Sequence, residues 1–472
     1  MKILVAIANY GTKNDVYLQK LLEQYRSLPY QKEIVVHTNI AKDLGTDVNV
    51  IVGLPTPDPR SLAYAHRRLF IENADKYDLF IYTEDDTLIT QDNIKAFLEV
   101  TPYLPDGYVA DFFRYELSPE KSFHFDRFHG SYHWWPDSVK RFGSYTFAEF
   151  SNKHSALYLL SRSQLHIAIN SGNYALTPQR SRYDILASAA CDPFVYCGLT
   201  KVMCISQLDR FLVHHQSNKY VMLRRFDFPK EEVEAQIKAL MQVEAGSLSK
   251  LRLFETETKL LTKKFDKQYY APSDPRIVKA VGSGCKNVLS VGCGTGETEA
   301  DLVKKGHRVV AIPLDEIIAV TAQAKGIETV IPDFDQAIDR LSEQSFDCII
   351  FPDVLQHLRE PTTVLTRFAN LLGEKGKIVA TFLNRKCRKF SSETFTPFDL
   401  AASGSVDFES LGIHLTNVKM VRSWFQRSGL GVQHVVYYVP PGRRMRMYNW
   451  LSLGLLAEQL APRFMVIATK RK

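Results

Sequence analysis

Three consecutive acidic residues, Glu84, Asp85 and Asp86, follow an apolar stretch at positions 79–83. Carboxylates crowded at the end of a strand repel one another unless a cation lies among them. Oxygen ligands suit Mg²⁺ or Mn²⁺, and such an ion could bridge a diphosphate and stabilise a leaving group. His214, in a histidine pair that ends a later apolar run, is a candidate further ligand. The sequence therefore predicts a divalent metal site, with solvated turn and loop residues as the simpler alternative.

A glycine-rich turn at positions 288–297, VLSVGCGTGE, is the second segment that could do chemistry. Gly292, Gly294 and Gly296, with Cys293 among them, let the backbone approach a ligand without a Cβ in the way. The spacing GxGxG differs from the GxGxxG of dinucleotide folds, and an acid follows where those folds need a small residue. The turn therefore favours the amino-acid end of S-adenosylmethionine over a dinucleotide.

Residues 273–472 resemble the class I S-adenosylmethionine-dependent methyltransferases. The turn VLSVGCGTGE resembles their first motif, and positions 345–358 resemble their FDxI…DVLEHL motif. Positions 371–376 resemble the LLxxGG turn before the fifth strand. The resemblance implies a seven-stranded sheet and S-adenosylmethionine as the cofactor.

The same resemblance implies which acids contact the cofactor. The family places a ribose-binding acid at the end of the second strand, where this chain has Pro313, so Asp315 is the predicted substitute. Asp333 matches the position that faces adenine, although a helix cap or a turn residue would have the same sequence. Asp353, in the motif of the fourth strand, is predicted as a further cofactor contact.

Two histidines are the candidate catalytic residues of this half. His357 falls in the loop after the fourth strand, where the methyl acceptor would lie, and is the predicted general base for a hydroxyl group. A histidine that only holds the loop by a backbone hydrogen bond is the competing interpretation. His414 resembles a second substrate-side histidine of sugar-acting members of the family.

Residues 1–222 resemble a GT-A glycosyltransferase, with positions 84–86 in place of its DxD motif. The resemblance implies a nucleotide-sugar donor and a saccharide or lipid-linked saccharide acceptor. Asp192 is the predicted base that deprotonates the acceptor, and Asp184 is a competitor that the sequence does not separate from it. Three basic residues could pair with the donor diphosphate or be solvated, and these are Arg60, Arg67 and Arg68.

The elements around these residues predict an α/β fold class with two α/β domains. One is a GT-A-like, Rossmann-type nucleotide-sugar domain at 1–222, and the other is the seven-stranded methyltransferase domain at 273–472. A helical connector at 223–272, with two helices broken at positions 246–247, joins them. Apolar strands alternate with polar helices in both blocks, which favours parallel sheets with active carboxyl edges. The predicted strands are 3–8, 33–38, 48–52 and 79–83, then 287–291, 307–312, 328–331, 347–351, 376–382 and 464–469.

The composition of the 472 residues fits folded domains, with 45% hydrophobic and 24% charged residues. A net charge of +7 over this length does not demand nucleic acid as a partner. The 7 cysteines are odd in number and include no CxxC pair, which argues against a zinc site or a disulfide framework. No apolar stretch is long enough for a transmembrane helix, so a cytoplasmic protein is predicted.

Two further segments carry weaker expectations. Aromatic residues at 129–136 could stack on sugar rings or pack under a long loop. Basic residues at 441–448, before an amphipathic stretch at 450–460, could lie on the inner face of a membrane as a peripheral contact. A helix packed against the sheet is the alternative for that stretch.

Together these features predict a bifunctional transferase of surface-glycan biosynthesis. The N-terminal domain would transfer a sugar, and the C-terminal domain would methylate a sugar hydroxyl. The alternative is a methyltransferase with a single activity, whose N-terminal domain is a non-catalytic glycan-binding module.

Overall fold

The computed structural model describes residues 1–126, 132–178, 183–221, 227–260, 265–388, 407–440 and 456–471. The chain divides into two compact units, Met1–Ser247 and Leu248–Lys472. The predicted connector at 223–272 is therefore split between them. One helix, Lys230–Glu244, closes the first unit. No second connector helix forms in the described residues 248–260 and 265–272.

The N-terminal unit contains three sheets. Its strands are β1 (Lys2–Asn9), β2 (Gln31–Thr38), β3 (Val48–Val52), β4 (Leu79–Glu84), β5 (Thr87–Leu88), β6 (Tyr108–Asp111), β7 (Phe113–Leu117), β8 (Phe123–Asp126), β9 (Trp134–Phe142), β10 (Tyr145–Phe150), β11 (Leu157–Ser161), β12 (Thr200–Cys204), β13 (Leu212–His215) and β14 (Asp227–Pro229). Its helices are α1 (Asp15–Ser27), α2 (Ala65–Glu72), α3 (Gln91–Val100), α4 (Arg162–Asn170), α5 (Ile185–Val195) and α6 (Lys230–Glu244).

The main sheet of this unit has the order β11-β4-β1-β2-β3, and only β11 is antiparallel to its neighbour. The interior of β1 is a continuous apolar run that is fully buried, as expected for a parallel strand covered on both faces. Helix α1 covers one face with Leu18, Leu21, Leu22 and Tyr25, which share one helical stripe. The predicted parallel strands of this half are confirmed.

The C-terminal unit contains one sheet of seven strands. These are β15 (Asn287–Cys293), β16 (Arg308–Pro313), β17 (Glu328–Thr329), β18 (Phe346–Pro352), β19 (Leu372–Leu383), β20 (Leu430–Tyr437) and β21 (Arg463–Lys470). The helices are α7 (Pro275–Val281), α8 (Glu297–Lys304), α9 (Glu316–Gln323), α10 (Phe334–Leu341) and α11 (Pro361–Asn370), followed by Phe408–Leu411, Val418–Arg427 and Ala457–Leu460.

The strand order of this sheet is β17-β16-β15-β18-β19-β21-β20. The first five strands are parallel, and β21 inserts antiparallel to both of its neighbours. The predicted seven-stranded sheet is confirmed. Crossing from β15 to β16 on one side and to β18 on the other creates a switch point at the carboxyl ends, where ligands bind in such sheets.

Two of the weaker predictions concern residues that the structure only partly describes. The aromatic segment is described only from Tyr132 onward, where Tyr132 and Trp134 are buried. The basic segment at 441–455 lies outside the described residues, so its membrane contact stays a prediction. Among the described residues, no helix is both long and apolar enough to cross a membrane.

A buried ion pair joins α2 to α5 and includes Asp192. The carboxylate of Asp192 is fully buried and accepts hydrogen bonds from Nη2 of Arg67 at 2.9 Å and from the hydroxyl of Tyr64 at 3.0 Å. Burial raises the pKa of Asp192, and the charge of Arg67 opposes that shift. These contacts favour a structural role for Asp192, and its role as the base that deprotonates an acceptor stays a prediction.

All three arginines that were predicted to contact the donor diphosphate form ion pairs within the protein. Arg67 is held in the core, Arg60 pairs with Asp58, and Arg68 pairs with Glu72. Asp184, the competitor of Asp192, caps α5 by accepting from the backbone N–H of Ala187.

We expect Asp192→Ala to lower the free energy of unfolding of the N-terminal unit by about 3 kcal/mol, because the Arg67 guanidinium would be left buried without its counter-charge. Glu72→Ala, which breaks the exposed pair with Arg68, is the control and should change little. Urea unfolding of the full chain measures both. Equal, small effects would contradict a structural role for the buried pair.

Candidate functional site

The glycine-rich turn between β15 and α8 forms as the sequence predicts. Gly292 and Gly296 have φ angles of +83° and +78°, which glycine adopts readily. A Cβ on Gly292 would lie 2.3 Å from Cγ2 of Val354, and one on Gly294 would lie 2.0 Å from the carbonyl oxygen of Tyr269. Cys293 is buried between them. Neither contact leaves room for a side chain, because the Val354 side chain lies against Gly292 and the backbone of Tyr269 lies against Gly294.

The backbone that lies on the turn comes from residues 252–258 and 265–270, which we call the covering segment. The N–H of Thr295 donates to the carbonyl oxygen of Tyr269 at 2.9 Å. The N–H of Leu253 donates to the carbonyl oxygen of Leu314, after β16, at 2.8 Å. The covering segment thus crosses the carboxyl ends of β15 and β16, where the resemblance implies that the cofactor binds.

The acids predicted to contact the nucleoside are both helix caps. Asp315 is buried, accepts from the N–H of Ile318 at 2.7 Å and from the hydroxyl of Tyr269 at 2.9 Å, and so begins α9. Burial raises the pKa of Asp315 to about 6. Asp333 accepts from the N–H of Gln336 at 2.8 Å and begins α10. Their predicted ribose and adenine contacts stay predictions.

Asp353 directly follows β18 and has a strained backbone. Its φ angle is +53°, which is uncommon for a residue with a side chain. Its N–H donates to Oγ1 of Thr381 at 2.9 Å, that hydroxyl donates to Oδ1 of Asp353 at 3.0 Å, and Arg463 forms an ion pair with Oδ2. These contacts from β19 and β21 hold the strained turn in place.

A cavity of about 430 Å³ opens beside Asp353 at the same edge of the sheet. Charges of both signs line it, from Lys267, Asp274, Arg276, Asp353 and Arg463. The Nζ of Lys267 donates to the carbonyl oxygen of Pro352 at 2.5 Å, and burial lowers the pKa of this lysine to about 8. A cavity with paired charges suits a zwitterionic ligand.

Sequence reasoning missed Lys267 and Arg463. Lys267 lies in the stretch that was predicted to be a connector, and Arg463 begins the last strand. Neither carries a local motif, so only the fold brings them to the cavity.

The two predicted catalytic histidines do not line this cavity. His357 is only 4% exposed, and its ring lies parallel to that of Phe254, with centroids 5.7 Å apart. Burial, with the charges of Lys267 and His414, lowers the pKa of His357 to about 3. His414 lies between Phe408 and Trp424, and its Nε2 is 3.3 Å from the carbonyl oxygen of Arg359. In the described conformation, His357 is too enclosed to reach an acceptor.

In the N-terminal unit, the side chains of the acidic triplet point in different directions. Asp85 accepts from the side-chain amides of Asn9 and Asn14 at 2.8 and 2.7 Å. Asp86 lies 3.1 Å from Nε2 of His215. Burial and the charge of Asp86 raise the pKa of Glu84 to about 7. Burial also raises the pKa of Asp85 to about 6, against the hydrogen bonds from the two asparagines.

His214, the predicted metal ligand, does not face the acids in the described structure, and its role stays a prediction. His215, not His214, lies between Asp86 and Glu116. His214 stacks on Tyr115, with ring centroids 5.0 Å apart, and its Nε2 is 3.0 Å from Oδ1 of Asn218. Successive residues of β13 point to opposite faces of the sheet, so only one histidine of the pair can face the acids.

The donor set around Asp86 fits a divalent ion in chemistry but is not assembled as a metal site. The carboxylates of Glu84 and Asp86 with Nε2 of His215 are suitable ligands. Oε1 of Glu84 is buried and has no hydrogen-bond partner among the residues that the structure describes. Within the described ranges, however, no group of three or more His, Cys, Asp or Glu side chains is arranged to hold a metal ion.

The buried, neutral His357 generates a prediction for the pH dependence of stability. Its folded pKa of about 3 lies below the ordinary value of about 6.5, so the unfolded chain binds the extra proton between these pH values. Stability therefore falls as pH falls from 6.5, by about 2 kcal/mol at pH 5. Urea unfolding at pH 7 and 5 should show that His357→Phe removes this loss, whereas His434→Phe, at an exposed position, does not. Parallel pH profiles for all three proteins would contradict the assignment.

A family model matches part of the C-terminal half of the chain, and several solved structures show a limited similarity to the chain. The family described as "Methionine biosynthesis protein MetW" matches residues 273–430. Solved structures similar to the chain include a SAM-dependent methyltransferase from Archaeoglobus fulgidus, at 15% identity and a TM-score of 0.31 over 41% of this chain and 90% of that one. Another, from Mesorhizobium loti, has 17% identity and a TM-score of 0.30 over 42% of this chain and 96% of that one.

Curated relatives show the family. The protein named "Ubiquinone biosynthesis O-methyltransferase" of Xylella fastidiosa (strain 9a5c) is 30% identical over 200 residues, which are 39% of this chain and 78% of the relative. Its namesake in Xanthomonas axonopodis pv. citri (strain 306) is 27% identical over 189 residues, 37% of this chain and 76% of the relative. Through its C-terminal unit, the chain belongs to the class I S-adenosylmethionine-dependent methyltransferases.

Proposed function

We propose that the C-terminal unit transfers the methyl group of S-adenosylmethionine to a hydroxyl group of a saccharide. The observation that carries the proposal is the glycine-rich turn, where Gly292, Gly294 and Gly296 are each packed too tightly for a side chain. The names of the curated relatives favour oxygen as the methylated atom. A saccharide is favoured by the second candidate function of this chain, argued below.

The charged cavity supports a site for the amino-acid end of the cofactor. Lys267 and Arg463 are cations that suit its carboxylate, and Asp353 is an anion that suits its ammonium group. Methyl transfer is an in-line displacement, so the main task of the protein is to hold the donor in line with the acceptor oxygen. The strained turn at Asp353 would fix one end of that alignment.

The role of His357 as general base requires the covering segment to move. In the described conformation, Phe254 covers the imidazole, and burial keeps the pKa of His357 near 3. Withdrawal of Phe254 would hydrate the ring and bring its pKa closer to neutrality, as a base at physiological pH needs. The backbone N–H of His414 donates to the carbonyl oxygen of Gln356. His414 would therefore support the turn that carries His357.

We expect Gly294→Ala to weaken the binding of S-adenosylhomocysteine at least tenfold, because the new Cβ would displace Tyr269 from the turn. Gly284→Ala is the matched control, since a Cβ there meets no atom within 4 Å. Isothermal titration of the full chain with the nucleoside measures both variants. Wild-type affinity in Gly294→Ala, or no binding by the wild type, would refute the proposed cofactor site.

The second candidate function is sugar transfer by the N-terminal unit. Four of the buried polar atoms that lack a hydrogen-bond partner in the described part of the chain lie on residues at or near the acidic triplet. They are Oδ1 of Asn9, Oε1 of Glu84, Oγ1 of Thr87 and Nε2 of Gln216. Buried polar groups are nearly always paired, so such a cluster favours a polar ligand at this edge.

Charge at this edge suits a nucleotide diphosphate. Arg114 and Lys219 both lower the pKa of Glu84, which places their charges near the acids. These cations could face the phosphates of a nucleotide-sugar donor. A divalent ion, Mn²⁺ or Mg²⁺, would be held by Glu84 and Asp86 with His215, and it would stabilise the charge of the departing diphosphate.

We expect the full chain with Mn²⁺ to hydrolyse one nucleotide sugar of a panel slowly, and Asp86→Ala to abolish that hydrolysis. Asp75→Ala, which removes an exposed acid, is the control and should behave as the wild type. Release of the nucleotide diphosphate measures the reaction, with and without EDTA. No hydrolysis and no binding of any donor would favour the alternative, a glycan-binding module attached to a methyltransferase of single activity.

If both activities are present, their fusion has a physical advantage. A product of the first site stays at high effective concentration for the second when both lie on one chain. A lipid-linked acceptor at the cytoplasmic face of a membrane would fit such a sequence of steps, and this location remains part of the proposal.

A further inference from the structure

Gln356 is a buried glutamine whose side chain lacks a hydrogen-bond partner among the described residues. It lies in the short turn Leu355–His357 after β18 and is 1% exposed. Neither Oε1 nor Nε2 has a partner in the part of the chain that the structure describes, and the same holds for Nδ1 of its neighbour His357. Each unpaired group destabilises the fold. Three such atoms on adjacent residues call for a ligand that pairs with them.

These atoms lie beside the glycine-rich turn. Strand β18 is the neighbour of β15 in the sheet. Val354, two residues before Gln356, has its Cγ2 2.3 Å from the position of a Cβ on Gly292. The unpaired atoms of Gln356 and His357 therefore lie on the turn that packs against the proposed cofactor site, where a methyl acceptor must approach.

The covering segment lies over the turn that carries these unpaired atoms. The ring of Phe254 lies at 8° to the ring of His357, and Thr256 is fully buried. The hydrophobic ring of Phe254 offers no hydrogen-bond partner to the polar atoms of Gln356 and His357. Withdrawal of Phe254 would expose Gln356 and His357 together.

We propose that Gln356 determines acceptor specificity by binding a vicinal diol, with Nδ1 of His357 as a further contact. A primary amide offers a donor and an acceptor side by side. Two adjacent hydroxyl groups match this edge, because one can accept from Nε2 while the other donates to Oε1. A lone hydroxyl leaves one amide atom unpaired, and sites built to bind a polar group reject analogues that lack it. The inference rests on the methyl transfer proposed above.

Vicinal diols occur in saccharides and in aromatic catechols, and the test separates these sources. The full chain, saturated with S-adenosylhomocysteine, is titrated with methyl α-D-mannopyranoside and with catechol. Cyclohexanol and phenol are the corresponding probes with a single hydroxyl. Binding of the mannoside alone assigns a saccharide, binding of catechol alone assigns an aromatic acceptor, and either supports the proposal.

Gln356→Met keeps the size of the side chain and removes both unpaired atoms. We expect it to raise Tm by roughly 2–4 °C and to weaken diol binding at least tenfold, with unchanged affinity for S-adenosylhomocysteine. Gln336→Met, at an exposed position, is the matched control and should alter neither quantity. Gln356→Leu should repeat the result in a second side chain.

Stability and binding together decide the outcome. A lower Tm in both Gln356 variants would overturn the proposal, because the amide would then already have a partner in the fold. Failure of the nucleoside-saturated wild type to bind either diol would also overturn it. Failure to bind S-adenosylhomocysteine at all would instead refute the proposed methyltransferase site.

Discussion

The close contact between Tyr269 and the glycine-rich turn is the constraint on which the C-terminal unit depends. With a carbonyl oxygen 2.0 Å from the position of a Cβ, only glycine can occupy position 294. The same tyrosine donates its hydroxyl to Asp315, which begins α9. One residue of the covering segment thus connects the first turn of the sheet to the end of its second strand. Chain that precedes the sheet therefore lies over its carboxyl edge, in addition to the loops of the sheet that line the cavity beside Asp353.

Some buried polar groups are paired in the core, and others lack partners within the described part of the chain, at the carboxyl edges of the sheets. Nη2 of Arg67 and Oδ2 of Asp192 pair in the core of the N-terminal unit, although the two residues lie far apart along the chain. Gln356, the Nε2 of Gln216 and Oδ1 of Asn9 have no such partners in the described residues. Because an unpaired buried group costs stability, its retention at the carboxyl edge of a sheet is best explained by a ligand.

The features that could be predicted from the sequence are those that depend on a local pattern of residues. The strands, the seven-stranded sheet and the tight turn at 292–296 follow from apolar runs and glycine spacing, and the structure contains them. The sequence did not predict which histidine of the pair 214–215 faces Asp86, because that depends on the register of β13 against its neighbours. The burial of Asp192 depends on Arg67, 125 positions away. The helical connector predicted at 223–272 includes residues that contact the C-terminal unit through their backbone, such as Leu253 and Tyr269, and no local sequence pattern indicates those contacts.

Because of those backbone contacts, the C-terminal unit begins before the region that resembles the methyltransferase family. The family resemblance starts at 273, but Ser249 already donates its N–H to Glu316, and Leu253 donates to Leu314. Helix α6 of the N-terminal unit ends at Glu244, so only a few residues separate it from this first contact. The covering segment is therefore held by backbone hydrogen bonds within the C-terminal unit, to the glycine-rich turn and to the end of β16. Acceptor binding at Gln356, as proposed above, requires this segment to move, so these hydrogen bonds oppose the opening of the methylation site.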